Sequence, residues 1–221
     1  MSPAALHLSP HPDDELIGAP ATLMALRDAG WRVVNLACSL GGDATARTRR
    51  QAELREACRR AGFELLIGSG VGAAIAALEP AVVVSPGPRD RHPTHERVAA
   101  AAREAIEAAA RPPRWWQWSL WGWLEHPSLA TGFGPQRLEE ILAALAAHRG
   151  ELARNDYRRL VKGRAEAAAC LAPELLFGFG SVAPSEHPYA ELLSELLWIE
   201  GAWRLGTARW LDPAGAGQGD L

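Results

Sequence analysis

Strand-like and helix-like segments alternate along the first half of the chain, and this alternation limits the available folds more than any other feature. Short apolar runs bounded by turn residues predict four strands, at residues 4–9, 32–39, 63–67 and 81–85. Apolar residues at helical spacing predict three helices, at residues 14–29, 44–61 and 94–110. Strands that alternate with helices through short connections favour a parallel sheet with helices on both faces. The sequence therefore predicts an α/β fold, a Rossmann-like three-layer sandwich with a mostly parallel sheet.

The second half of the chain is patterned less regularly. It predicts a strand at 114–123, helices at 136–148 and 155–170, and a hairpin within 196–211 that turns near Glu200 and Gly201. The chain has 221 residues, which suits one domain, and it contains neither an internal repeat nor an interdomain linker. We therefore expect a single domain at residues 1–211, followed by a glycine-rich, disordered tail at 212–221.

Two clusters of histidine and acidic residues follow predicted strands. The first, His-Pro-Asp-Asp-Glu at residues 11–15, comes directly after the first strand. The second, Asp-Arg-His-Pro-Thr-His at residues 90–95, comes after the apolar run 81–85. The carboxyl ends of parallel strands meet at one edge of an open sheet, where α/β proteins collect their ligands. The two clusters are thus expected to lie together and to bind a metal ion.

The residue types in these clusters suit a hydrolytic zinc site. Imidazole and carboxylate bind zinc, and three protein ligands leave a position for a water molecule, whose pKa the ion lowers. His11, Asp14 and His95 can supply the three ligands. Asp13 can act as the general base, and His92 can stabilise the oxyanion and protonate the leaving group. Taken alone, the first cluster would also fit a plain helix start, with an aspartate as the cap.

The two motifs resemble those of the PIG-L-like (LmbE-like) zinc-dependent deacetylases, closely over residues 4–110 and more loosely to about 211. The resemblance implies that His11, Asp14 and His95 bind the metal. It also implies that Asp13 is the base, that His92 acts at the oxyanion or the leaving group, and that Arg50 contacts the substrate. It also implies an activity, the removal of an N-acetyl or other N-acyl group from a small amino-sugar-containing molecule or glycoside. Zn²⁺ is the implied cofactor, and another divalent ion such as Fe²⁺ is the alternative.

The sequence departs from the family pattern at three places. The usual His-Pro-Asp-His is here His-Pro-Thr-His, and we expect Thr94, which replaces the aspartate, to cap the helix that follows. The segment 68–80 is short and lacks the Pro-Asp-Gly loop that members often carry. A late His-Arg-Ser-Gln motif is represented only by His-Arg-Gly-Glu at 148–151, so no role is transferred to those residues.

Composition argues against several classes of protein. The net charge is −3 without a block of like charge, which predicts no nucleic-acid partner. No apolar run is long enough to span a membrane, and the N-terminus lacks a signal-peptide pattern, so we expect a cytoplasmic location. Cys38, Cys58 and Cys170 are far apart in the sequence, so neither a disulfide framework nor a thiolate zinc site is predicted.

Five tryptophans fall within residues 115–123. A strand there would place Trp116 and Trp118 on one face, and Trp115, Trp121 and Trp123 on the other. We expect most of them in the core or at a subunit interface, which leaves a homo-oligomer open. A hydrophobic surface for a sugar ring or an acyl chain is the alternative.

Other functions remain open at this point. One is the hydrolysis of a larger amide, such as a thiol conjugate or a natural product. Another is a non-catalytic metal-binding protein. A third is a non-haem iron oxygenase, because His11, Asp13 and a distant His95 also fit a facial triad. That triad is usually found on an all-β barrel, so the α/β pattern argues against it.

Overall fold

The computed structural model describes residues 2–180, 183–213 and 215. Within these residues one mixed sheet is formed by nine strands: β1 (Ala4–Ser9), β2 (Arg32–Ala37), β3 (Glu64–Ile67), β4 (Val82–Pro86), β5 (Arg114–Trp118), β6 (Leu129–Phe133), β7 (Tyr189–Ile199), β8 (Ala202–Leu205) and β9 (Arg209–Trp210). The same residues form eight helices: α1 (Asp14–Ile17), α2 (Pro20–Asp28), α3 (Ala44–Ala61), α4 (Val71–Leu78), α5 (Pro93–Glu107), α6 (Pro135–Leu145), α7 (Arg149–Arg154) and α8 (Tyr157–Phe177).

The sheet is parallel over the strands of the first half of the chain. In the order β3-β2-β1-β4-β5 every neighbouring pair runs parallel, and Leu6 of β1 lies beside Val34 of β2 and Val83 of β4. β7 then pairs antiparallel with β5, and β6 pairs antiparallel with β7. The predicted α/β fold with a mostly parallel sheet is confirmed.

Strand order reverses at β1. The chain moves outward from β1 through β2 to β3, then returns to the other side of β1 with β4 and continues with β5. The loops that leave the carboxyl ends of β1 and β4 therefore depart in opposite directions, which opens a crevice of the kind that binds ligands in open α/β sheets. Both clusters of histidine and acidic residues leave from these two strand ends.

Helices cover both faces of the sheet. On one face, α4 and α5 pack against apolar side chains of the parallel strands, including Leu6 and Val83. On the other face, α1, α2, α3, α6 and α8 pack around Trp116 and Trp118, which are fully buried. Because β1 is buried on both faces, it holds the residues that follow it on a rigid support.

The helix predicted at 14–29 was wrong as a single element. It is divided into α1 and α2, because Pro20 cannot donate the backbone hydrogen bond that a continuous helix needs. Gly18 lies in the break, packed so closely on the ring of Trp118 that an added Cβ would come within 2.6 Å of it.

The helices predicted around 44–61 and 94–110 are confirmed as α3 and α5, but the cap of α5 is His92 and not Thr94. Proline is favoured at the first position of a helix, so Pro93 makes the residue before it the cap.

The second half of the chain departs more from expectation. The strand predicted at 114–123 ends at Trp118, and Trp121 and Trp123 lie beyond it, 46% and 81% exposed. The sequence analysis missed helices α4 and α7 and strand β6. In the case of α4, the segment is rich in alanine and glycine and has no polar face that would indicate a helix. The predicted hairpin is confirmed as β7 and β8, which meet at Glu200 and Gly201.

Some expectations fall outside what the structure tests. Residues 214 and 216–221 of the predicted tail lie outside the described residues. The single domain at 1–211 stays a prediction. Among the described residues, none of the helices combines the length and the apolar character that crossing a bilayer requires.

A buried ion pair joins the two halves of the chain directly under the crevice. Nε2 of His148, which precedes α7, lies 2.5 Å from Oε1 of Glu15 in α1, and neither side chain is exposed to solvent. Burial lowers the pKa of His148, but the charge and the hydrogen bond of Glu15 outweigh it, so the pKa is raised overall. The raised pKa favours the protonated ring of His148, and each partner offsets the burial of the other.

We predict that His148→Ala lowers the free energy of unfolding by about 3–5 kcal/mol, because it leaves the Glu15 carboxylate buried without its partner. Chemical denaturation of the metal-free proteins measures this, since bound metal would add stability of its own. His187→Ala is the matched control, because His187 is exposed. A loss in His148→Ala no larger than that of the control would contradict the prediction.

Candidate metal centre

Three donor atoms from the two clusters lie at mutual distances that suit one metal ion. His11 Nδ1 lies 3.3 Å from Asp14 Oδ2 and 3.3 Å from His95 Nε2. Asp14 Oδ2 lies 3.5 Å from His95 Nε2. Ligands held at about 2.0–2.1 Å from a tetrahedral zinc ion are about 3.3–3.4 Å from one another. The two nitrogens and one oxygen therefore fit a zinc ion with a fourth position left open.

The first cluster is shaped by a tight turn between β1 and α1. The backbone N–H of His11 donates to Asp14 Oδ2 at 2.8 Å, which brings the two side chains together. Between them, Asp13 has a φ of 124°, a conformation that side-chain-bearing residues rarely adopt. The backbone N–H of Asp13 donates to Glu15 Oε2 at 3.0 Å, so the buried Glu15 supports this strained residue.

The second cluster is oriented by Asp90, which the sequence analysis treated only as part of the motif. Asp90 Oδ2 lies 2.6 Å from His95 Nδ1, while its Oδ1 accepts hydrogen bonds from Ser119 Oγ and the backbone N–H of Leu120. Burial raises the pKa of Asp90, but the hydrogen bonds with His95 and Ser119 lower it by more. The pKa of Asp90 is therefore lowered overall, and the carboxylate stays ionised. The carboxylate thus fixes the proton of His95 on Nδ1 and leaves Nε2 free as a donor to a metal.

Asp13 is a buried carboxylate whose pKa is strongly raised by its surroundings. Its side chain is 4% exposed and lines the cavity beside the three donor atoms. Burial, and then the neighbouring charges of Asp14 and Glu15, raise the pKa of Asp13 well above its usual range. A carboxylate with a raised pKa is a stronger base than an ordinary one.

His92 lies against both His11 and His95. Its ring centroid is 4.7 Å from that of His11 and 4.6 Å from that of His95. Burial, and then the charges of His95 and His11, lower its pKa, which favours the neutral ring. The backbone N–H of Thr94 donates to His92 Nδ1 at 3.3 Å, so the neutral ring carries its proton on Nε2.

A second set of donors is present in the same place. One ring nitrogen from each of His11, His92 and His95 lies within 4.8 Å of the others. The set that contains Asp14 is more closely spaced, at 3.3–3.5 Å. In addition, the bond from Thr94 occupies Nδ1 of His92. These two observations favour Asp14 over His92 as the third donor.

All six residues singled out from the sequence line one cavity of about 730 Å³: His11, Asp13, Asp14, Arg50, His92 and His95. Arg50 reaches it from α3, where its Nη2 lies 2.7 Å from Glu151 Oε1. Glu151 Oε2 in turn lies 2.9 Å from Arg154 Nη2, which also donates to the hydroxyl of Tyr157 at 3.0 Å. The predicted cluster is thus brought together at the crevice, with Arg50 on its wall.

The sequence analysis missed the wall that the second half of the chain provides. Glu151, Arg154 and Tyr157 all line the cavity, and His148 supports Glu15 from below. The only signal was the partial match of residues 148–151 to the late family motif. Their contact with Arg50 and Glu15 depends on the long return of the chain through α6, which spacing alone does not reveal.

The first half of the chain is similar in sequence to a known family. The family model described as GlcNAc-PI de-N-acetylase (PIG-L) matches residues 6–106, a range that contains both clusters. Among curated proteins, none matches the sequence significantly.

Several solved structures share the fold. The N,N'-diacetylchitobiose deacetylase of Pyrococcus horikoshii is 17% identical, with a TM-score of 0.64 over 87% of this chain and 83% of its own. A zinc-inhibited form of the teicoplanin deacetylase Orf2 is 17% identical, with a TM-score of 0.65 over 87% and 97%. The 4-carboxy-2-hydroxymuconate hydratase GalB of Pseudomonas putida KT2440 is 15% identical, with a TM-score of 0.67 over 88% and 96%. At these identities the likeness concerns the fold, and that fold carries more than one activity.

The family match covers the part of the chain that carries both clusters, and the solved deacetylases share the arrangement of strands and helices around it. The chain therefore resembles the PIG-L family in sequence over residues 6–106, and it shares the fold of these deacetylase structures over most of its length.

Proposed function

We propose that this protein is a zinc-dependent N-deacetylase, which hydrolyses the amide of an N-acetylated or N-acylated amino sugar or glycoside. The observation that carries the proposal is the triangle of His11 Nδ1, Asp14 Oδ2 and His95 Nε2, with edges of 3.3–3.5 Å, beside a buried carboxylate. The family match and the names of the related structures, which include a deacetylase of diacetylchitobiose, support this choice of substrate class.

His11, Asp14 and His95 would hold the metal. When bound there, a zinc ion supplies Lewis acidity that polarises a carbonyl group and lowers the pKa of a bound water molecule. Fe²⁺ would be held by the same donors, since imidazole and carboxylate suit both ions. Asp13 and His92 line the same cavity as the three donors, so a substrate amide and an attacking water in that cavity would lie close to both side chains.

Asp13 acts as the general base. Its buried carboxylate lines the cavity beside the three donor atoms, where it can accept the proton of the attacking water as the C–O bond forms at the amide carbon. The strained backbone of Asp13, held by Glu15, keeps the carboxylate at the cavity instead of turning it toward solvent. The same carboxyl group then returns the proton to the amine nitrogen as the C–N bond breaks, which releases the free amine and acetate. This step replaces the protonation by His92 expected from the sequence, because the lowered pKa of His92 favours a neutral ring, which is a weak acid.

His92 stabilises the negative charge that develops on the carbonyl oxygen. With Nδ1 engaged by the backbone of Thr94, the neutral ring can donate only from Nε2. Threonine in place of the usual aspartate preserves this orientation, because the bond comes from the backbone of residue 94 and not from its side chain.

Arg50 is proposed as a substrate contact on the wall of the cavity. Its pairing with Glu151 holds the guanidinium in place without removing its remaining donors. The volume of about 730 Å³ accommodates a ligand larger than one sugar ring, so a larger natural-product amide is the alternative substrate.

The α/β fold argues against the iron oxygenase considered above. The cytoplasmic location and a homo-oligomer stay predictions.

The role of Asp13 predicts the effect of removing its charge. Asp13→Asn should retain the metal and lose activity by about 10²–10⁴-fold, because the amide cannot accept a proton. Amine release from a panel of N-acetylated amino sugars, measured with fluorescamine, together with metal analysis of the same samples, tests this. Glu139→Gln is the matched control, since Glu139 is an exposed acid on α6. Retained turnover in Asp13→Asn would rule out the assigned base.

The choice between the two donor sets predicts different metal contents. Asp14→Asn should lose the metal, whereas His92→Asn should keep it while losing activity, because asparagine still caps α5. His95→Ala, which disrupts both sets, should lose metal and activity together. Metal content after dialysis against a weak chelator measures all three variants. Metal loss in His92→Asn with retention in Asp14→Asn would assign the third ligand to His92 instead.

A further inference from the structure

The proposed function leaves the five tryptophans of residues 115–123 unused, and one of them differs from the rest. Trp115, Trp116 and Trp118 are buried in the core. Trp123 is 81% exposed and lies outside the cavity that the three donor atoms line. Trp121 lines that cavity and is 46% exposed, so among these five described residues its ring alone is open to a ligand there.

The ring of Trp121 lies unstacked at the cavity wall. Other tryptophans are packed in ring pairs, since Trp115 and Trp198 each contact the ring of Trp203, at centroid distances of 5.3 and 5.2 Å. In the described part of the chain, no aromatic ring makes such a contact with Trp121. A flat apolar surface laid against this half-exposed indole would remove a large apolar area from water, which stabilises the contact.

The segment that carries this ring is tied to the carboxylate that orients His95. Asp90 Oδ1 accepts a hydrogen bond from the backbone N–H of Trp121 at 3.1 Å, while Oδ2 lies 2.6 Å from His95 Nδ1. The next residue, Gly122, packs so closely that a side chain on it would collide with the backbone carbonyl of Arg89. The segment is therefore held in place relative to His95, as a preformed binding surface requires.

The cavity has different chemistry on its two sides. The strands lie in the order β2-β1-β4-β5, so the two clusters, which follow β1 and β4, lie between the segments that follow β2 and β5. Arg50 comes from the β2 side, on α3, and its guanidinium is joined through Glu151 to Arg154. Trp121 comes from the β5 side, next to Leu120, which also lines the cavity. The donor atoms are thus flanked by a charged wall and an apolar wall.

We propose that Trp121 stacks against the apolar face of a pyranose ring of the substrate while the N-acyl group lies at the donor atoms. The inference rests on the proposed deacetylase function and restricts its substrate to N-acyl amines carried on a closed sugar ring. In a β-linked glucosamine ring the C–H bonds at C1, C3 and C5 form one apolar face, which suits an indole. The hydroxyl groups lie around the rim of the ring, where the charged wall can bind them.

The test compares a closed ring with an open chain. The ring probes are the methyl β-glycoside of N-acetylglucosamine and N,N'-diacetylchitobiose, and the open probe is N-acetylglucosaminitol, which keeps the acetyl and hydroxyl groups but has no flat face. Saturation-transfer NMR titrations on zinc-loaded Asp13→Asn measure weak affinities without turnover. We expect at least one ring probe to bind more tightly than the open probe, with stronger transfer to H1, H3 and H5 than to H2 and H4.

The variants assign this preference to the indole. Trp121→Ala, added to Asp13→Asn, should weaken the preferred ring probe about five- to tenfold and the open probe less than twofold, whereas Trp121→Phe should restore most of the affinity. Both variants keep the backbone N–H that binds Asp90, so zinc content should not change. Trp123→Ala is the matched control on the same loop and should alter neither probe.

The proposal is wrong if Trp121→Ala leaves the affinity for the ring probes intact, or if it weakens the ring and open probes equally. It is also wrong if no ring probe binds, or if none binds more tightly than the open probe. A loss that Trp123→Ala reproduces would count against it as well, because Trp123 lies outside the cavity.

Amine release from the same probes, by enzymes that keep Asp13, separates this proposal from the proposed function. In a deacetylase that uses this stacking, Trp121→Ala should act mainly by raising KM for the ring probe. Turnover with an unchanged KM in Trp121→Ala would overturn the stacking and leave the deacetylase standing. Ring binding that depends on Trp121, without amine release from any probe, would support the stacking and count against the deacetylase.

Discussion

The adjacency of β1 and β4 is the constraint on which the site depends. Each strand delivers one cluster to the crevice where strand order reverses, and only that adjacency brings His11 and Asp14 within 3.5 Å of His95, a residue more than eighty positions later. Because β1 is buried on both faces, neither loop can shift without disturbing the core. The donors are thereby held close together by the scaffold, as a preformed metal site requires.

Three consecutive acidic residues, Asp13, Asp14 and Glu15, would repel one another in this nearly buried place, and the structure offsets each charge differently. Asp14 faces two imidazoles, Glu15 pairs with His148, and Asp13 is left to carry a raised pKa. The backbone of Asp13 is thus supported by Glu15, and Glu15 is in turn paired with His148 from the second half of the chain. Among the three acids, Asp13 is thus the one with the raised pKa, and it is the carboxylate that we propose as the base.

The fold class and the meeting of the two clusters were predictable from the sequence, whereas contacts that depend on tertiary packing were not. The strands β1 and β4 and the helices α3 and α5 are strongly patterned, so the fold class and the meeting of the two clusters followed from them. Asp90 and Glu151 were not recognised, because their partners His95 and Arg50 are fixed by tertiary packing and not by periodicity. The cap of α5 was misplaced by two residues because the preference of Pro93 for the first helical position outweighs that of threonine for the cap.

The fold alone does not decide the chemistry, since deacetylases and a hydratase share it, so the account depends on the metal centre. X-ray absorption spectroscopy of the zinc-loaded protein at the zinc edge tests that centre most directly. The account predicts one zinc per chain, with about four nitrogen and oxygen neighbours near 2.0–2.1 Å, two imidazoles among them and no sulfur. A signal from three imidazoles, a sulfur neighbour or six-fold coordination typical of loosely held zinc would contradict it.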